Sequence, residues 1–247
     1  EKSLDDFKAT LNGAYNSILN NDSKVGYNSL KFLNKVNWSE VKKTLIKLNE
    51  ISKENNGILN KSLLEDEYMF DEYNPVIIND VINKEALIII QNFIKEAINR
   101  KEIDLGDRQS NRFRARNETI TRFLHYEVLE LIRKITRKEV RPTYTYLSCY
   151  TKGSDLPAHT DQPDCEYTVS FIIDKPENSN WPIYLDKKKQ PHKHKGRADH
   201  TPKKEDCIPC DCDSGGLMIF NGTDHIHYRE PSIYDYYNIV LLHYRIN

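Results

Sequence analysis

The 247-residue sequence lacks a long hydrophobic run: no segment approaches the roughly 20 apolar residues that a membrane-spanning helix needs. Its first residues also lack the charged-then-apolar layout of a signal peptide. Neither sign of charge is in excess, because 36 basic residues stand against 37 acidic ones. No global field therefore favours an anionic membrane or nucleic acid, although local basic patches leave nucleic acid open as a partner. We expect a soluble, cytoplasmic protein that does not bind membranes.

The sequence also lacks a disulfide framework, because five cysteines are an odd number and too few for a chain of this size. Three of these thiols crowd into one polar, proline-interrupted stretch, at Cys207, Cys210 and Cys212. Three histidines precede them, at His192, His194 and His200. The stretch is interpreted as a solvated loop with reduced thiols, and a structural zinc site is the alternative.

The periodicity of the apolar residues changes along the chain. The first third has helical spacing, with one amphipathic helix around residues 3–18 and a second beginning after Ser39. A short strand at NPVIIND, a buried helix at NKEALIIIQNFIKEAINRK and a further helix at residues 119–138 follow. The arginine-rich segment DRQSNRFRARNE is interpreted as a loop before that last helix.

From Arg141 onward the chain becomes a succession of short aromatic and β-branched runs separated by turn residues. This pattern predicts an α+β fold, in which a β-sandwich or barrel is packed against outer helices. The stretch at residues 187–214 is too polar and too often interrupted by proline to belong to the sheet. It is therefore predicted to be an excursion from the barrel.

The stretch HTDQPDCE contains the first candidate metal ligands, His159 and Asp161. On a strand, residues i and i+2 share a face, so these two side chains can converge on one point inside a barrel. The pair alone is more typical of a hydrogen-bonded couple in a loop than of a metal site. Further along, NGTDHIHYREP supplies His225 and His227 on alternate positions. If either joins the pair, two imidazoles and one carboxylate form the facial ligand set of a non-haem iron site.

The order His-x-Asp, several strands and a distal His resembles that of the Fe(II)/2-oxoglutarate-dependent dioxygenases, and within them the prolyl-4-hydroxylase-like branch. The segments YTKGSDLPAHTD, WPIYLD and IHYREP carry the resemblance, which covers residues 75–247. It implies a double-stranded β-helix core of the jelly-roll or cupin-like type. The expected organisation is a helical N-terminal region at residues 1–74 and a dioxygenase domain at residues 75–247, with the insert at 187–214.

The resemblance implies a role for individual residues. His159, Asp161 and His227 are the implied iron ligands and catalytic residues, because the motif of the most similar subgroup is His, an aromatic residue and Arg. Arg229 is the implied anchor for the distal carboxylate of 2-oxoglutarate, and Tyr150 can donate its hydroxyl to the same group.

Other positions keep alternatives open. Tyr237 and Asn238 stand where the branch usually carries Lys or Arg, and Arg245 on the last strand is the alternative anchor. Three further residues are candidates for supporting a ligand or contacting substrate: His225, which is also an alternative ligand, Glu166 and Tyr146.

The implied activity is that of a hydroxylase using Fe(II), 2-oxoglutarate and O2, with release of succinate and CO2. The predicted substrate is a peptidyl residue or a small amino-acid-like molecule. Alternatives are a nucleic-acid or small-molecule demethylase of the same superfamily, a hydrolytic zinc enzyme, and a non-catalytic metal-binding cupin-like module. Substrate contacts lie on loops, so the sequence does not choose among these substrates.

Overall fold

Helices pack outside two antiparallel sheets in the described part of the chain. The computed structural model describes residues 35–71, 74–106, 110–190 and 196–247. The helix predicted around residues 3–18, with His192 and His194, lies outside the described residues. The helices in the described ranges are α1 (Trp38–Glu54), α2 (Lys84–Asn99), α3 (Thr119–Glu127) and α4 (Leu129–Thr136). Within those ranges, none of the helices combines the length and apolarity needed to cross a membrane.

The strands form one large sheet and one small sheet. Their bounds are β1 (Val76–Ile78), β2 (Asp104–Leu105), β3 (Arg112–Arg116), β4 (Val140–Thr151), β5 (Leu156–His159), β6 (Tyr167–Asp174), β7 (Ile183–Lys189), β8 (Cys207–Cys210), β9 (Leu217–Asn221), β10 (His225–Arg229) and β11 (Tyr236–Ile246). The larger sheet has the order β1-β9-β6-β11-β4-β3-β2, and the smaller one has the order β5-β10-β7-β8. This arrangement confirms the predicted α+β fold with a jelly-roll core.

The two faces of β6 show how the core is divided. Val169, Phe171 and Ile173 point outward into the cluster that the helices cover. Ile172 points inward, into a second cluster with Ile183 of the smaller sheet. Because both faces are covered, the strand is buried along almost its whole length. The polar side chains that remain on the inner face are the ones available for a site.

Helix α1 packs into the same hydrophobic core as helix α2. The Asn37 side chain caps the helix by accepting a hydrogen bond from the Glu40 N–H at 3.3 Å. The buried face of α1 includes Val41 and Leu48, and these belong to the same cluster as Ile90 of α2. The described part of the predicted N-terminal region therefore shares one core with the sheets.

Two sequence predictions about the helices and the edge of the sheet are wrong in detail. The helix expected at residues 119–138 is two helices, because the backbone at Val128, where φ is -93° and ψ is -1°, departs from ideal α-helical values. The arginine-rich segment is strand β3 rather than a loop, because Arg112–Arg116 pairs along β4. Arg116 is exposed near the edge of the larger sheet, whereas Arg112 is buried against the rings of Tyr146 and Tyr150.

The prediction that residues 187–214 form an excursion from the barrel is also wrong in part, because two pieces of this segment belong to the smaller sheet. Strand β7 continues to Lys189, and Cys207–Cys210 pairs with it as β8. Cys207 and Cys210 lie three residues apart on β8, so they point to opposite faces and pack in different clusters, where they are 4% and 0% exposed. These thiols act as small apolar side chains, a property that the polar composition of the segment conceals.

Candidate metal centre

Three side chains from two strands and one loop converge on the inner face of the smaller sheet. Strand β5 pairs with β10 so that His159 lies directly opposite His227, and their ring centroids are 4.3 Å apart. Asp161 Oδ1 lies 3.5 Å from His159 Nε2 and 3.6 Å from His227 Nε2. One potential ligand atom from each residue lies within 4.8 Å of the others.

Backbone carbonyls orient both imidazoles. His159 Nδ1 lies 2.8 Å from the Pro157 carbonyl oxygen, and His227 Nδ1 lies 2.9 Å from that of His225. Each contact favours the tautomer in which Nδ1–H donates and Nε2 keeps its lone pair. Two imidazole nitrogens and a carboxylate oxygen then face one point, and this donor set fits a divalent first-row metal.

Asp161 lies beyond the end of β5, so a loop rather than strand alternation brings it to the histidines. Its N–H donates to the Gly222 carbonyl oxygen at 2.8 Å, and its Oδ2 accepts from the Thr168 hydroxyl at 2.6 Å. Position 222 needs glycine, because a Cβ there would overlap Asp161 Oδ2 and come within 2.5 Å of Thr168 Oγ1. Although burial acts to raise the pKa of Asp161, His227 and His159 hold it well below its usual value. The carboxylate is therefore ionised.

Thr168→Val tests this support, because valine keeps the shape of threonine but removes the hydroxyl that holds Asp161. We expect the affinity for Fe(II) or Mn(II) to fall about 10–100-fold, the usual cost of losing an outer hydrogen bond to a metal ligand. Metal titration measures the effect. Thr168→Ser is the matched control and should retain most of the affinity; unchanged affinity in Thr168→Val would show that the hydroxyl does not support the ligand.

A cavity of about 280 Å³ opens beside these three residues. Four apolar side chains line part of it: Leu156, Ile183, Phe220 and Leu241. Tyr144, Tyr146, Arg112 and Arg116 line another part, so Tyr146 lies where a substrate contact was predicted. His243 also lines the cavity, and its Nδ1 lies 3.2 Å from the Thr168 hydroxyl. The cavity thus combines the candidate metal ligands with apolar walls and two cations.

No family model and no curated protein sequence matches this chain. Solved structures do share its fold. A prolyl-4-hydroxylase from Pseudomonas putida has a TM-score of 0.53 and 8% identity, covering 71% of this chain and 94% of its own. The non-haem alpha-ketoglutarate-dependent epimerase SnoN from nogalamycin biosynthesis has a TM-score of 0.57 and 9% identity, covering 71% and 77%. HygX from Streptomyces hygroscopicus, with nickel, 2-oxoglutarate and hygromycin B bound, has a TM-score of 0.50 and 13% identity, covering 76% and 88%.

The fold is that of the 2-oxoglutarate-dependent oxygenases. The resemblance predicted from the motifs is confirmed at the level of the fold. Identities of 8–13% show a shared fold and do not assign a role to any residue of this chain.

Arg229, the candidate anchor for 2-oxoglutarate, is buried in the interior of the fold. It lies two residues beyond His227 on β10 and is only 3% exposed. Its Nη1 donates to the Trp181 carbonyl oxygen, and its Cζ lies 4.7 Å from the Trp181 ring and 5.7 Å from the Tyr237 ring. Its Nη2 is buried and has no hydrogen-bond partner among the described residues. An unmatched buried guanidinium nitrogen is costly, so its position fits a site for an anion.

The other two candidate anchor residues lie in different places. Tyr150 is buried, its hydroxyl accepts a hydrogen bond from Arg112 Nη1, and its ring packs 4.9 Å from Trp181. Arg245 instead lies on the surface, where its Nη1 donates to Asp164 Oδ1 at 3.1 Å and 42% of its side chain is exposed. This position removes Arg245 as the alternative anchor.

His225 and Glu166 are both turned away from the three candidate ligands. The register of β10 against β7 shifts between His225 and His227, and His225 Nδ1 contacts the Asp186 carbonyl oxygen at 2.8 Å. Among the described residues, two groups could hold a metal, and neither includes His225: His159, Asp161 and His227, and Asp161, Cys165 and His243. Glu166 accepts a hydrogen bond from the Ile246 N–H at 3.1 Å, so it ties down the end of β11 rather than supporting a ligand.

The three cysteines of the insert are packed as apolar residues. Cys210 and Cys212 belong to the inner cluster, and Cys207 packs with Ile226 and Tyr228. Burial raises the pKa of the Cys207 thiol to about 11 and those of Cys210 and Cys212 to about 12. None of them belongs to a group able to hold a metal within the described ranges.

Replacing these cysteines should therefore leave the metal content of the purified protein unchanged. Elemental analysis of Cys210→Ala and Cys212→Ala variants checks this, with His159→Ala as the comparison that should lose metal. The loss of one zinc ion per chain from either cysteine variant would restore the zinc site as an interpretation.

Proposed function

We propose that this chain is an Fe(II)- and 2-oxoglutarate-dependent dioxygenase that hydroxylates a peptidyl residue or a small amino-acid-like substrate. The observation that carries the proposal is the convergence of His159, Asp161 and His227 beside a cavity in this fold. Its three donors are the two imidazoles and single carboxylate of a non-haem Fe(II) oxygenase. The nickel and 2-oxoglutarate bound to HygX support the same choice of metal and co-substrate.

The residues of the site have separate tasks. When bound, Fe(II) and 2-oxoglutarate supply oxygen activation and oxidising power, with release of succinate and CO2. His159, Asp161 and His227 would hold the metal and would leave open positions for 2-oxoglutarate and O2. Leu156, Ile183 and Phe220 restrict water around the reacting atoms.

Arg229 is the residue we propose as the anchor of 2-oxoglutarate. Its fixed charge and planar donors match a carboxylate, and its buried Nη2 has no described partner to satisfy it. Tyr237 occupies the position where related enzymes carry the basic residue, and its ring packs against Arg229 from the neighbouring sheet. The cation is therefore proposed to come from β10 instead of β11. Tyr150 accepts from Arg112, so its own proton remains available to the same carboxylate.

Succinate formation tests the proposed function. The protein is supplied with Fe(II), 2-oxoglutarate and O2 and is assayed with peptides, free amino acids and methylated nucleotides. We expect oxygen-dependent succinate release that one substrate class increases and His159→Ala eliminates. A non-catalytic metal-binding module would release no more succinate than the His159→Ala variant, and stimulation by methylated nucleotides alone would favour a demethylase.

A further inference from the structure

The cavity carries more positive charge than the metal site explains. Arg112 and Arg116 of β3 both line it. Among the described residues that line the cavity, Asp161 is the only one with a carboxylate, and we assign that group to the metal. Arg116 therefore places at the cavity a positive charge that the metal ligands do not neutralise, and this charge favours an anionic ligand.

Arg116 is held at the cavity by an aromatic ring. Its Cζ lies 3.9 Å from the centroid of Tyr144, and the Tyr144 hydroxyl lies 3.0 Å from Cys165 Sγ. Burial is the main factor that raises the pKa of Tyr144, which keeps the phenol neutral. Within the described ranges, Arg116 forms no salt bridge. A guanidinium that stacks by its face keeps its N–H donors in the plane, where two oxygens of an anion can accept them.

Arg112 extends the positive charge into the interior. It is only 2% exposed, and its Cζ lies 5.1 Å from the ring centroids of both Tyr146 and Tyr150. In the register of β3 against β4, Arg112 is opposite Tyr150 and Arg116 is opposite Tyr146. The two arginines are four residues apart on one strand, a separation of about 13 Å between Cα atoms, so they form a row along one side of the cavity.

We propose that Arg116 binds a carboxylate or phosphate group of the substrate beside the metal, and that Arg112 adds positive charge deeper in the cavity. This inference rests on the proposed function, because it names the substrate class of the same site. The planar donors of Arg116 match the paired oxygens of either anion. A cavity of about 280 Å³ is near the lower end of the range of roughly 300–1,000 Å³ for ligand pockets, so a small acid fits it.

Binding of matched acidic and neutral probes tests this inference. The protein is loaded with Ni(II) and 2-oxoglutarate, and calorimetry compares benzoate with benzamide and phenyl phosphate with phenol. We expect at least one acid to bind about tenfold or more tightly than its neutral counterpart, and this preference to weaken as salt is added. The two pairs distinguish a carboxylate from a phosphate as the preferred group.

Two arginine variants test whether Arg116 is responsible for the preference for acidic over neutral probes. Arg116→Gln should remove it, whereas Arg114→Gln should keep it, because Arg114 does not line the cavity and its Nε donates to the Gly106 carbonyl oxygen. The inference is overturned if the acids bind no better than the neutral probes at millimolar concentration, or if the preference survives in Arg116→Gln. Failure of 2-oxoglutarate to bind to the metal-loaded protein would overturn the proposed function, and this inference with it.

Discussion

The His159→Ala variant should lose its affinity for Fe(II) by at least about 100-fold and should release no succinate. The substitution removes one of three ligands, which costs more than the about 10–100-fold that an outer hydrogen bond contributes. His159 Nε2 lies 3.5 Å from Asp161 Oδ1, so both atoms face the same candidate metal position. Titration with Fe(II) under anaerobic conditions measures the affinity.

His225→Ala is the matched control for this loss. His225 is a buried histidine on the same strand as His227, but its Nδ1 contacts the Asp186 carbonyl oxygen. We expect its removal to lower stability and to leave the affinity for Fe(II) within a few-fold of the unmodified protein. A large loss of metal affinity in His225→Ala with none in His227→Ala would exchange the assignments of these two residues.

Arg229→Met should raise the KM for 2-oxoglutarate about 30-fold or more. Removing one partner of a buried charge pair costs about 2–5 kcal/mol, and 2 kcal/mol corresponds to about 30-fold. Arg229→Lys should also be impaired, because an ammonium group does not reproduce the planar donors of the guanidinium. Metal affinity should stay unchanged in both variants, since Arg229 is not a ligand.

Two further measurements separate an anchor from a residue needed for folding. Without ligands, Arg229→Met should not lower the unfolding temperature, because it replaces a buried charge whose Nη2 has no described partner. Arg245→Met, which removes only an exposed ion pair with Asp164, should leave the KM for 2-oxoglutarate unchanged. An unchanged KM in Arg229→Met would contradict the assignment of the anchor.

The sequence predicted the barrel and two of the candidate ligands from local patterns. Short aromatic and β-branched runs from Arg141 onward marked the strands, and the spacing His159-x-Asp161 marked the two ligands. The strand pairing that sets His159 opposite His227 could be expected only through the resemblance, because it joins distant parts of the chain.

The sequence did not reveal the contacts that hold Asp161. The Thr168 hydroxyl and the Gly222 carbonyl oxygen reach it from two other parts of the chain. A threonine in a strand and a glycine in a turn have many ordinary explanations, so neither gives a signal by itself. The close approach to Asp161 becomes evident only when the strands are assembled.

Strands β3 and β8 were not predicted, because their arginine and cysteine residues lie in segments whose composition is typical of loops. Arg112 and Arg116 lie on β3, although a run of arginines is typical of a solvated loop. Cys207 and Cys210 lie on β8 within a segment whose lysines and prolines suggested an excursion. In both places the pairing partner, β4 or β7, determines the strand more than local composition does.

Anaerobic addition of Fe(II) and then 2-oxoglutarate tests most directly whether His159, Asp161 and His227 hold an iron ion that 2-oxoglutarate chelates, because the chelate has a weak visible charge-transfer band. We expect this band to appear in the unmodified protein, to be absent in His159→Ala and to need a higher concentration of 2-oxoglutarate in Arg229→Met. Absence of the band from the unmodified protein, at saturating Fe(II) and 2-oxoglutarate, would show that these residues do not form such a site.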